Sequence, residues 1–459
     1  MRRSFILTLL WFPFVISLSG CSGSHNTSGG STSASSGGGA SAPAQAPIVI
    51  GWAQWKPSDY LQQLSKEFTK QTGIPVEVKQ IPWSQYQQKI QTDVWAGHSS
   101  AYDMIVGDSQ WLGRGATEGH YVDLTDWSKT NVPWGDYTDN IKKFYCVYNE
   151  KIWALPCEAD AIGFAYRKDL FNSPVEQANF KAKYGYPLAP PATWKQFRDV
   201  AEFFTRPANK LYGCALFYAG PGSYDGATMG FMETLWCLGG AFFDPKTGLV
   251  QGTVNSPASV SALAFYAQEL KKYNPPGAEN FYFNETLSAF KSGQVAMAMD
   301  WFTFFPALVD KNQNIYAAQT GFFEAPSGPA GHYISLGGQG ISISSYSKHI
   351  EEAKKFLAWF SQEDTQQKWA DMGGLSCNSK VLKSPQFLNA VPFNPIFAES
   401  VPLLRDYYNN PVYAPLLEVT QEEINACAAG QITPLQAMNI VAQKHTDILK
   451  KAGLLHPPS

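Results

Sequence analysis

The sequence predicts an α/β protein whose parallel sheet is flanked by helices. Three observations indicate this class. The chain has 459 residues, which suits two or three domains and is ample for large cores. Strand-like and helix-like segments alternate from residue 48 onward, an order typical of parallel sheets. No repeat of fixed period interrupts that order.

The first part of this body holds three strand-like and two helix-like segments. In the first helix Leu61, Leu64 and Phe68 recur on one face, and Gly73 is a stop signal. Parallel strands joined by helices bind ligands at their carboxyl ends, so we expect contacts after the first and third strands. The predicted segments are strands at 48–52, 76–81 and 103–107, and helices at 60–71 and 86–95.

The second part continues the alternation. Thr193 stands where an N-cap is expected before an amphipathic helix. A strand at 212–217 leads into a glycine-rich loop at 219–226. Further predicted segments are an apolar run at 161–166, helices at 259–272 and 284–292, a strand at 295–300, helices at 351–362 and 365–372, and a mostly helical end at 412–451.

The first 20 residues have the pattern of an export signal. Arg2 and Arg3 precede an apolar run over residues 5–18, which is shorter than the roughly 20 residues needed to span a bilayer. The run ends in Leu-Ser-Gly-Cys, which resembles a bacterial lipobox, so we predict a signal peptide at 1–20 and a lipid on Cys21. The alternative is an ordinary signal peptide followed by an incidental cysteine.

Residues 21–47 are predicted to be a lipidated cysteine and a tether. Residues 22–47 are rich in Gly and Ser and contain almost nothing that could join a core. Such a chain reaches about 25–30 Å, so the folded body would work near a membrane without entering it.

Composition and motifs exclude several classes of function. A net charge of −3 without a basic stripe gives no support to nucleic-acid binding. The sequence has no CxxC, HxxxH or HExxH spacing, and we predict no metal site. It also lacks a Walker A motif and a true GxGxxG motif, and we predict no cofactor.

Six cysteines follow Cys21, and an even number in an exported chain permits three disulfides. We expect Cys146 to bridge Cys157 across a hairpin. By elimination, Cys214 would then pair with Cys237, and Cys377 with Cys427. The alternative is a set of buried free thiols.

The order of several short motifs resembles the family 1 extracellular solute-binding proteins of ABC importers, the group that includes the maltose-binding protein. The most distinctive are FKSGQVAM at 290–297 and GGQGISI at 337–343. Together the motifs cover nearly all of residues 48–455. The other matching segments are 68–76, 102–108, 152–156, 167–171, 191–194 and 353–357.

This resemblance implies a two-lobed periplasmic-binding-protein fold of type II, with a hinge of two or three strands and a ligand cleft between the lobes. The lobes would be 48–159 with 338–382, and 160–337 with 383–455. Family members capture sugars, oligosaccharides or polyols by closing on them, and deliver them to a membrane permease served by a separate ATPase. We expect this protein to be a monomeric binding protein with the same role.

The predicted ligand contacts combine aromatic rings for the C–H faces of a sugar with carboxylates and amides for its hydroxyl groups. Most of the candidate residues follow strand ends or lie where the family places ligand contacts. Trp301 is the residue expected to stack on the sugar ring. Core packing is the alternative for Trp111, surface packing for Trp55 and Lys56, and a salt bridge for Asp160. The candidates are Trp55, Lys56, Asp108, Gln110, Trp111, Asp160, Tyr224, Asp225, Asp300, Trp301, Gly338, Gln339 and Tyr413.

Three other functions stay open at this point. Asp108, Asp160, Asp225 and Asp300 could supply the acid and base of a glycosidase, although we predict no enzyme. A surface lipoprotein that binds a peptide would need an exposed apolar patch. A binding protein for a charged solute would need basic residues at the strand ends, where Lys56 is the only one found.

Overall fold

The computed structural model describes residues 46–455. The predicted signal peptide, Cys21 and nearly all of the tether lie outside these residues. Within 46–455, no helix combines the length and the apolar character needed to cross a membrane.

Eleven strands are formed in the described part of the chain. They are β1 (Ile48–Ala53), β2 (Val76–Ile81), β3 (Met104–Gly107), β4 (Val147–Tyr148), β5 (Lys151–Ile152), β6 (Leu155–Arg167), β7 (Tyr212–Ala215), β8 (Val295–Trp301), β9 (Thr320–Glu324), β10 (Ile334–Ile343) and β11 (Leu404–Arg405).

Nineteen α-helical segments surround these strands in residues 46–455. They are α1 (Lys56–Thr72), α2 (Trp83–Lys89), α3 (Ser109–Thr117), α4 (Thr125–Asn131), α5 (Asp139–Ile141), α6 (Lys168–Phe171), α7 (Pro174–Tyr184), α8 (Trp194–Phe204), α9 (Gly226–Cys237), α10 (Pro257–Leu263), α11 (Phe283–Lys291), α12 (Pro306–Val309), α13 (Ile350–Phe360), α14 (Glu363–Asp371), α15 (Ser379–Leu382), α16 (Pro385–Ala390), α17 (Asn394–Ser400), α18 (Tyr413–Ala428) and α19 (Pro434–Lys451).

One mixed sheet runs through the molecule in the order β2-β1-β3-β10-β6-β8-β7. At one end β1 pairs in parallel with β2 and β3, which confirms the predicted β-α-β-α-β unit. At the other end β7 pairs in parallel with β8, and β9 joins β6. The long strands β6 and β10 pair antiparallel in the middle and connect the two ends.

The predicted lobe boundaries fall on neighbouring points of the two central strands. Ala159 pairs with Gly338, and Asp160 pairs with Gly337. At these residues the chain would cross from one predicted lobe to the other on two neighbouring, hydrogen-bonded strands, β6 and β10. This arrangement is the geometry of a two-strand hinge. The boundaries themselves stay a prediction.

Local signals explain most of the elements. The face of α1 formed by Leu61, Leu64 and Phe68 is buried, and Gly73 ends the helix in the left-handed region at φ 77°. Thr193 caps α8 by accepting from the backbone N–H of Gln196, as predicted.

The strand predicted at 212–217 and the helix predicted at 259–272 are among the elements whose extent differs. The strand predicted at 212–217 ends at Ala215, because the next backbone N–H, on Leu216, donates to Asn274 Oδ1 at 2.8 Å instead of to a strand. The helix predicted at 259–272 divides into α10, a π-helical turn at Ala264–Glu269 and a 3₁₀ turn at Leu270–Tyr273.

The six cysteines of the described chain are free, buried thiols, which corrects the predicted disulfides. In the β4–β5 hairpin Val147 pairs with Ile152, and the N–H of Trp153 donates to the carbonyl of Cys146. The residue opposite Cys146 is therefore Trp153, while Cys157 lies farther along, inside β6.

The other two expected pairs, Cys214 with Cys237 and Cys377 with Cys427, are also absent from the described chain. The Sγ of Cys214 accepts from Asn274 Nδ2, and the Sγ of Cys237 accepts from a backbone N–H. Burial raises the pKa of each thiol, as at Cys427, where it reaches about 11. These sulfurs are therefore protonated and packed into the interior.

A substitution at Gly338 tests the backbone geometry of β10 at the predicted hinge. Its φ is +80°, and a Cβ there would lie 2.4 Å from the carbonyl oxygen of Glu158. We expect Gly338→Ala to lower the free energy of unfolding in urea by more than about 3 kcal/mol, because clash adds to backbone strain. Gly73→Ala is the matched control, since its φ is +77° but no atom lies within 4 Å of the new Cβ. It should cost only about 1–2 kcal/mol, and equal losses would contradict this description.

Candidate functional site

A cavity of about 140 Å³ lies between the two ends of the sheet. At roughly 30 Å³ for each water in the liquid, it has room for about five water molecules. Aromatic, carboxyl and amide side chains from both predicted lobes form its walls. They are Gln54, Trp55, Trp83, Asp108, Ser109, Gln110, Asp160, Asp225, Met229, Tyr282, Phe283, Trp301, Thr303, Phe304, Leu336, Gly337, Gly338 and Gln339.

Asp108 follows β3, at the carboxyl end of a parallel strand. Its Oδ1 accepts from Gln339 Nε2 at 2.6 Å, and its Oδ2 accepts from the hydroxyl group of Tyr224. Gln339 is held in turn by Trp52, whose Nε1 donates to the amide oxygen at 2.5 Å. Burial raises the pKa of Asp108 to about 6, although these hydrogen bonds act to lower it.

Tyr224 connects the two predicted lobes. Its hydroxyl group donates to Asp108 and accepts from Trp111 Nε1 at 2.9 Å. Its ring meets Trp83 edge-on, with centroids 5.4 Å apart. The backbone of Tyr224 has φ +76°, a conformation unusual for a residue other than glycine and often found at ligand sites.

Asp225 anchors a second chain of hydrogen bonds across the cleft. It accepts from Gln110 Nε2 at 3.0 Å and from the hydroxyl group of Tyr282. The Tyr282 hydroxyl group also accepts from Trp301 Nε1 at 3.1 Å, which fixes the indole ring at the cavity wall. Burial, with a smaller contribution from the charge of Asp108, raises the pKa of Asp225 to about 7.

Asp160 lies in β6 at the predicted hinge and lines the cavity. Its Oδ1 accepts from the backbone N–H groups of Ala161 at 2.8 Å and Thr303 at 3.3 Å. The backbone N–H of Phe302 also bonds this carboxyl group. Burial raises the pKa of Asp160 to about 8, so this group holds a proton at neutral pH.

The walls of the cavity contain no lysine, arginine or histidine among the described residues. Lys56, the one basic candidate from the sequence, points away. Its side chain is 78% exposed and lies 3.6 Å from Asp59. A site for an anionic solute would need a cation here, and none is present in this part of the chain.

Eight of the predicted contacts line the cavity together. Trp111 and Tyr224, joined by their hydrogen bond, line a second, wider groove instead. The structure does not bring Lys56, Asp300 or Tyr413 to the cavity. The eight are Trp55, Asp108, Gln110, Asp160, Asp225, Trp301, Gly338 and Gln339.

The side chains of Asp300 and Tyr413 form hydrogen bonds in the protein interior. Asp300 accepts from Thr286 Oγ1 and from the backbone N–H of Trp301, both at 2.8 Å, and burial raises its pKa well above the ordinary range. Tyr413 is fully buried at the start of α18 and donates to Asp406 Oδ1 at 2.7 Å. Both therefore hold packed elements in place.

Sequence reasoning missed most of the remaining wall. Trp83 follows β2 and could have been found by the rule for carboxyl ends of strands. Tyr282 and Phe283 stand at the start of α11, and Phe304 belongs to a short turn after β8. No local pattern marks these three, because only the fold brings them to the cleft.

A wider groove of about 1240 Å³ shares Trp83, Gln110, Tyr282 and Phe283 with the cavity and leads outward from it. Uncharged amides such as Gln87, Gln88, Gln91 and Gln421 are frequent along it. In residues 46–455 no group of three or more His, Cys, Asp or Glu side chains is placed to hold a metal ion.

A two-lobed α/β molecule with a polar and aromatic cavity between its lobes has the architecture of periplasmic binding proteins. Residues 52–367 match the family described as bacterial extracellular solute-binding protein, and the chain belongs to this family. That result confirms the resemblance seen in the sequence.

Individual relatives are distant but cover most of the chain. The mannitol-binding protein of Pseudomonas aeruginosa is 29% identical over 324 residues, 66% of this chain and 70% of its own. A probable amino-acid ABC transporter periplasmic-binding protein of Sinorhizobium fredii is 25% identical over 403 residues, 85% of this chain and 86% of its own. An ABC transporter solute-binding protein of Agrobacterium radiobacter, solved with ribitol, superposes with a TM-score of 0.76 at 23% identity. That match covers 89% of this chain and all of the other, and it supports the two-lobed fold.

Asp160 gives a test of the electrostatics of the cavity. In the unfolded chain this group ionises near pH 4, whereas in the fold it keeps its proton to about pH 8. Its contribution to stability is therefore complete at low pH and is lost as pH rises through 8. The free energy of unfolding of the wild type should therefore fall between pH 6 and 8. We expect Asp160→Asn to reduce the slope of this fall by about 1 kcal/mol per pH unit.

Urea unfolding across this pH range, without ligand, measures the slope. Asp126→Asn is the control, because that side chain is 95% exposed, and it should keep the wild-type slope. A slope unchanged by Asp160→Asn would show that Asp160 is ionised in the fold.

Proposed function

We propose that this protein is the lipid-anchored substrate-binding protein of an ABC importer and captures a single sugar or polyol by closure of its two lobes. The observation that carries the proposal is the cavity between the lobes, which is lined by aromatic rings and by carboxyl and amide groups from both lobes. Sugars and polyols present C–H faces and hydroxyl groups in the same alternation.

The size of the cavity favours a small ligand. A volume of about 140 Å³, with room for about five waters, suits a monosaccharide or a polyol better than a long oligosaccharide. The mannitol-binding relative and the ribitol complex support this class. The wider groove is the route by which such a ligand enters.

The contacts across the cleft support closure as the mechanism. Asp108 and Gln110 reach Tyr224 and Asp225 from the opposite lobe, so the walls are complete only when the lobes meet. A ligand that touches both walls binds the closed state better than the open state and shifts the population toward it. The permease would then recognise the closed form.

Ligand binding tests the proposal directly. A sugar or polyol at 100 times its Kd should stabilise residues 46–455 by about 2.7 kcal/mol. We expect a thermal shift with one subset of a panel of sugars, polyols, amino acids and peptides. Trp301→Ala should abolish the shift, because it removes an aromatic ring from the cavity wall.

Trp127→Ala is the matched control, since Trp127 lies in α4 and is not part of the cavity. It should keep the shift. A shift with peptides or charged solutes alone would refute the carbohydrate ligand, and turnover of a glycan would refute a transport role.

Lipid anchoring is tested in cells. With the full-length chain, Cys21→Ser should move the protein from the membrane fraction to the soluble exported fraction, because the lipid is attached through that sulfur. Immunoblots of fractionated cells measure the distribution. A Ser22→Ala variant keeps the cysteine and should stay with the membrane, and membrane retention of Cys21→Ser would contradict the anchor.

A further inference from the structure

A second groove lies between the two predicted lobes, away from the cavity. Its volume is about 740 Å³, within the range of roughly 300–1,000 Å³ that small-molecule sites occupy. Among the described residues, none that lines this groove also lines the cavity. One wall belongs to the π-helical turn Lys142–Cys146 of the predicted first lobe, and the other includes β11 and the residues before β10. The side-chain amide of Asn140 joins the walls by donating to the carbonyl of Pro402 at 2.8 Å.

Arg405, in β11, is a cation of this groove that lacks an acidic partner. Residues 46–455 contain five arginines. The other four, Arg114, Arg167, Arg198 and Arg206, each form a salt bridge with a carboxylate. Arg405 alone forms none within residues 46–455, so its charge is available to an anion from outside the chain.

Aromatic rings contact the Arg405 guanidinium group. Its Cζ lies 4.9 Å from the centroid of the Trp236 ring and 5.0 Å from that of the Tyr333 ring. Contact with a ring face leaves the N–H donors at the edge of a guanidinium group for other partners. Burial lowers the pKa of Arg405 from its ordinary value, which marks a partly dehydrated charge. Such a group gains more from an anion than a fully hydrated one does.

The other charged side chains of the groove leave it with excess positive charge. Lys143 is exposed on the opposite wall and forms no salt bridge in the described part of the chain. Asp406 is the one carboxyl group among the lining residues of that part. Its Oδ1 accepts from the hydroxyl group of Tyr413 at 2.7 Å, and its Oδ2 is buried, so both oxygens are turned to the interior. An anion in the groove would therefore meet two cations and no exposed carboxylate oxygen.

We propose that this groove binds an organic anion, with its carboxylate on Arg405 and its apolar part against the neighbouring rings. A planar carboxylate can accept two parallel hydrogen bonds from the guanidinium fork. Phe144, Phe242 and Phe243 line the same groove and supply apolar contact area. An inorganic anion would use the charge and leave these rings without a partner. The inference is independent of the sugar or polyol site, because the two sites are built from different residues.

Matched pairs of ligands test the proposal by calorimetry at neutral pH on residues 46–455, which contain the whole sheet. The pairs are benzoate with benzamide, 3-phenylpropionate with 3-phenylpropionamide, and indole-3-acetate with indole-3-acetamide. Inorganic phosphate and sulfate are the anions without a ring. In at least one pair we expect the carboxylate to bind at least about tenfold tighter than its amide, because only the carboxylate pairs with the guanidinium group.

Three variants locate the site. Arg405→Gln should weaken the best carboxylate by about tenfold and leave its amide unchanged. Lys143→Gln changes an exposed side chain, so it should fold normally and weaken the same carboxylate by about threefold. Lys66→Gln removes an exposed charge from α1, outside the groove, and is the control that should keep the wild-type affinity. In crystals soaked with this carboxylate, its oxygens should lie within hydrogen-bonding distance of Arg405.

Several outcomes would overturn the proposal. Carboxylates that fail to bind, or that bind no better than their amides, would show that the groove holds no anion site of this kind. Phosphate or sulfate binding tighter than every carboxylate would exclude an organic ligand. Affinity unchanged by both Arg405→Gln and Lys143→Gln, or ligand density in the cavity instead of the groove, would place the anion elsewhere.

Discussion

The carboxyl group of Asp108 joins the two lobes through neutral hydrogen bonds rather than through an ion pair. It accepts from Gln339 on the hinge strand and from Tyr224 on the opposite lobe. Each partner is held by a buried tryptophan, Trp52 behind Gln339 and Trp111 behind Tyr224. Losing one of these donors would leave a buried acceptor without a partner, which costs about 1–3 kcal/mol. The shape of the cavity therefore depends on this chain of contacts.

The second chain, from Gln110 through Asp225 and Tyr282 to Trp301, has the same construction. Both chains use carboxyl groups whose pKa is raised by burial, so neither brings a fixed full charge into the closed cleft at mildly acidic pH. Such contacts stabilise closure only modestly, and a ligand that adds its own bonds to both walls can decide the population. This is the behaviour a capture protein needs.

The fold class could be predicted from the sequence because the alternating pattern of strands and the helical pattern are local. The cavity residues that follow strands could also be predicted, because parallel strands bind ligands at their carboxyl ends. Asp108 and Gln110 were found in this way. The sequence did not predict the aromatic residues Tyr282, Phe283 and Phe304. They reach the cavity only through the packing of α11 and of the turn after β8. Tyr413 and Asp300 were expected at the cavity but do not line it, because a polar residue at an element end can equally bond inward. The cysteine count could not reveal that the β4–β5 register separates Cys146 from Cys157.

The most direct test of the central claim is a crystal structure of the protein with the sugar or polyol that stabilises it most. The structure predicts ligand density inside the cavity, in contact with Trp301 and Asp160 on one side and with Asp108 or Gln110 on the other. Density confined to the outer groove, with the cavity empty or filled by water, would contradict it.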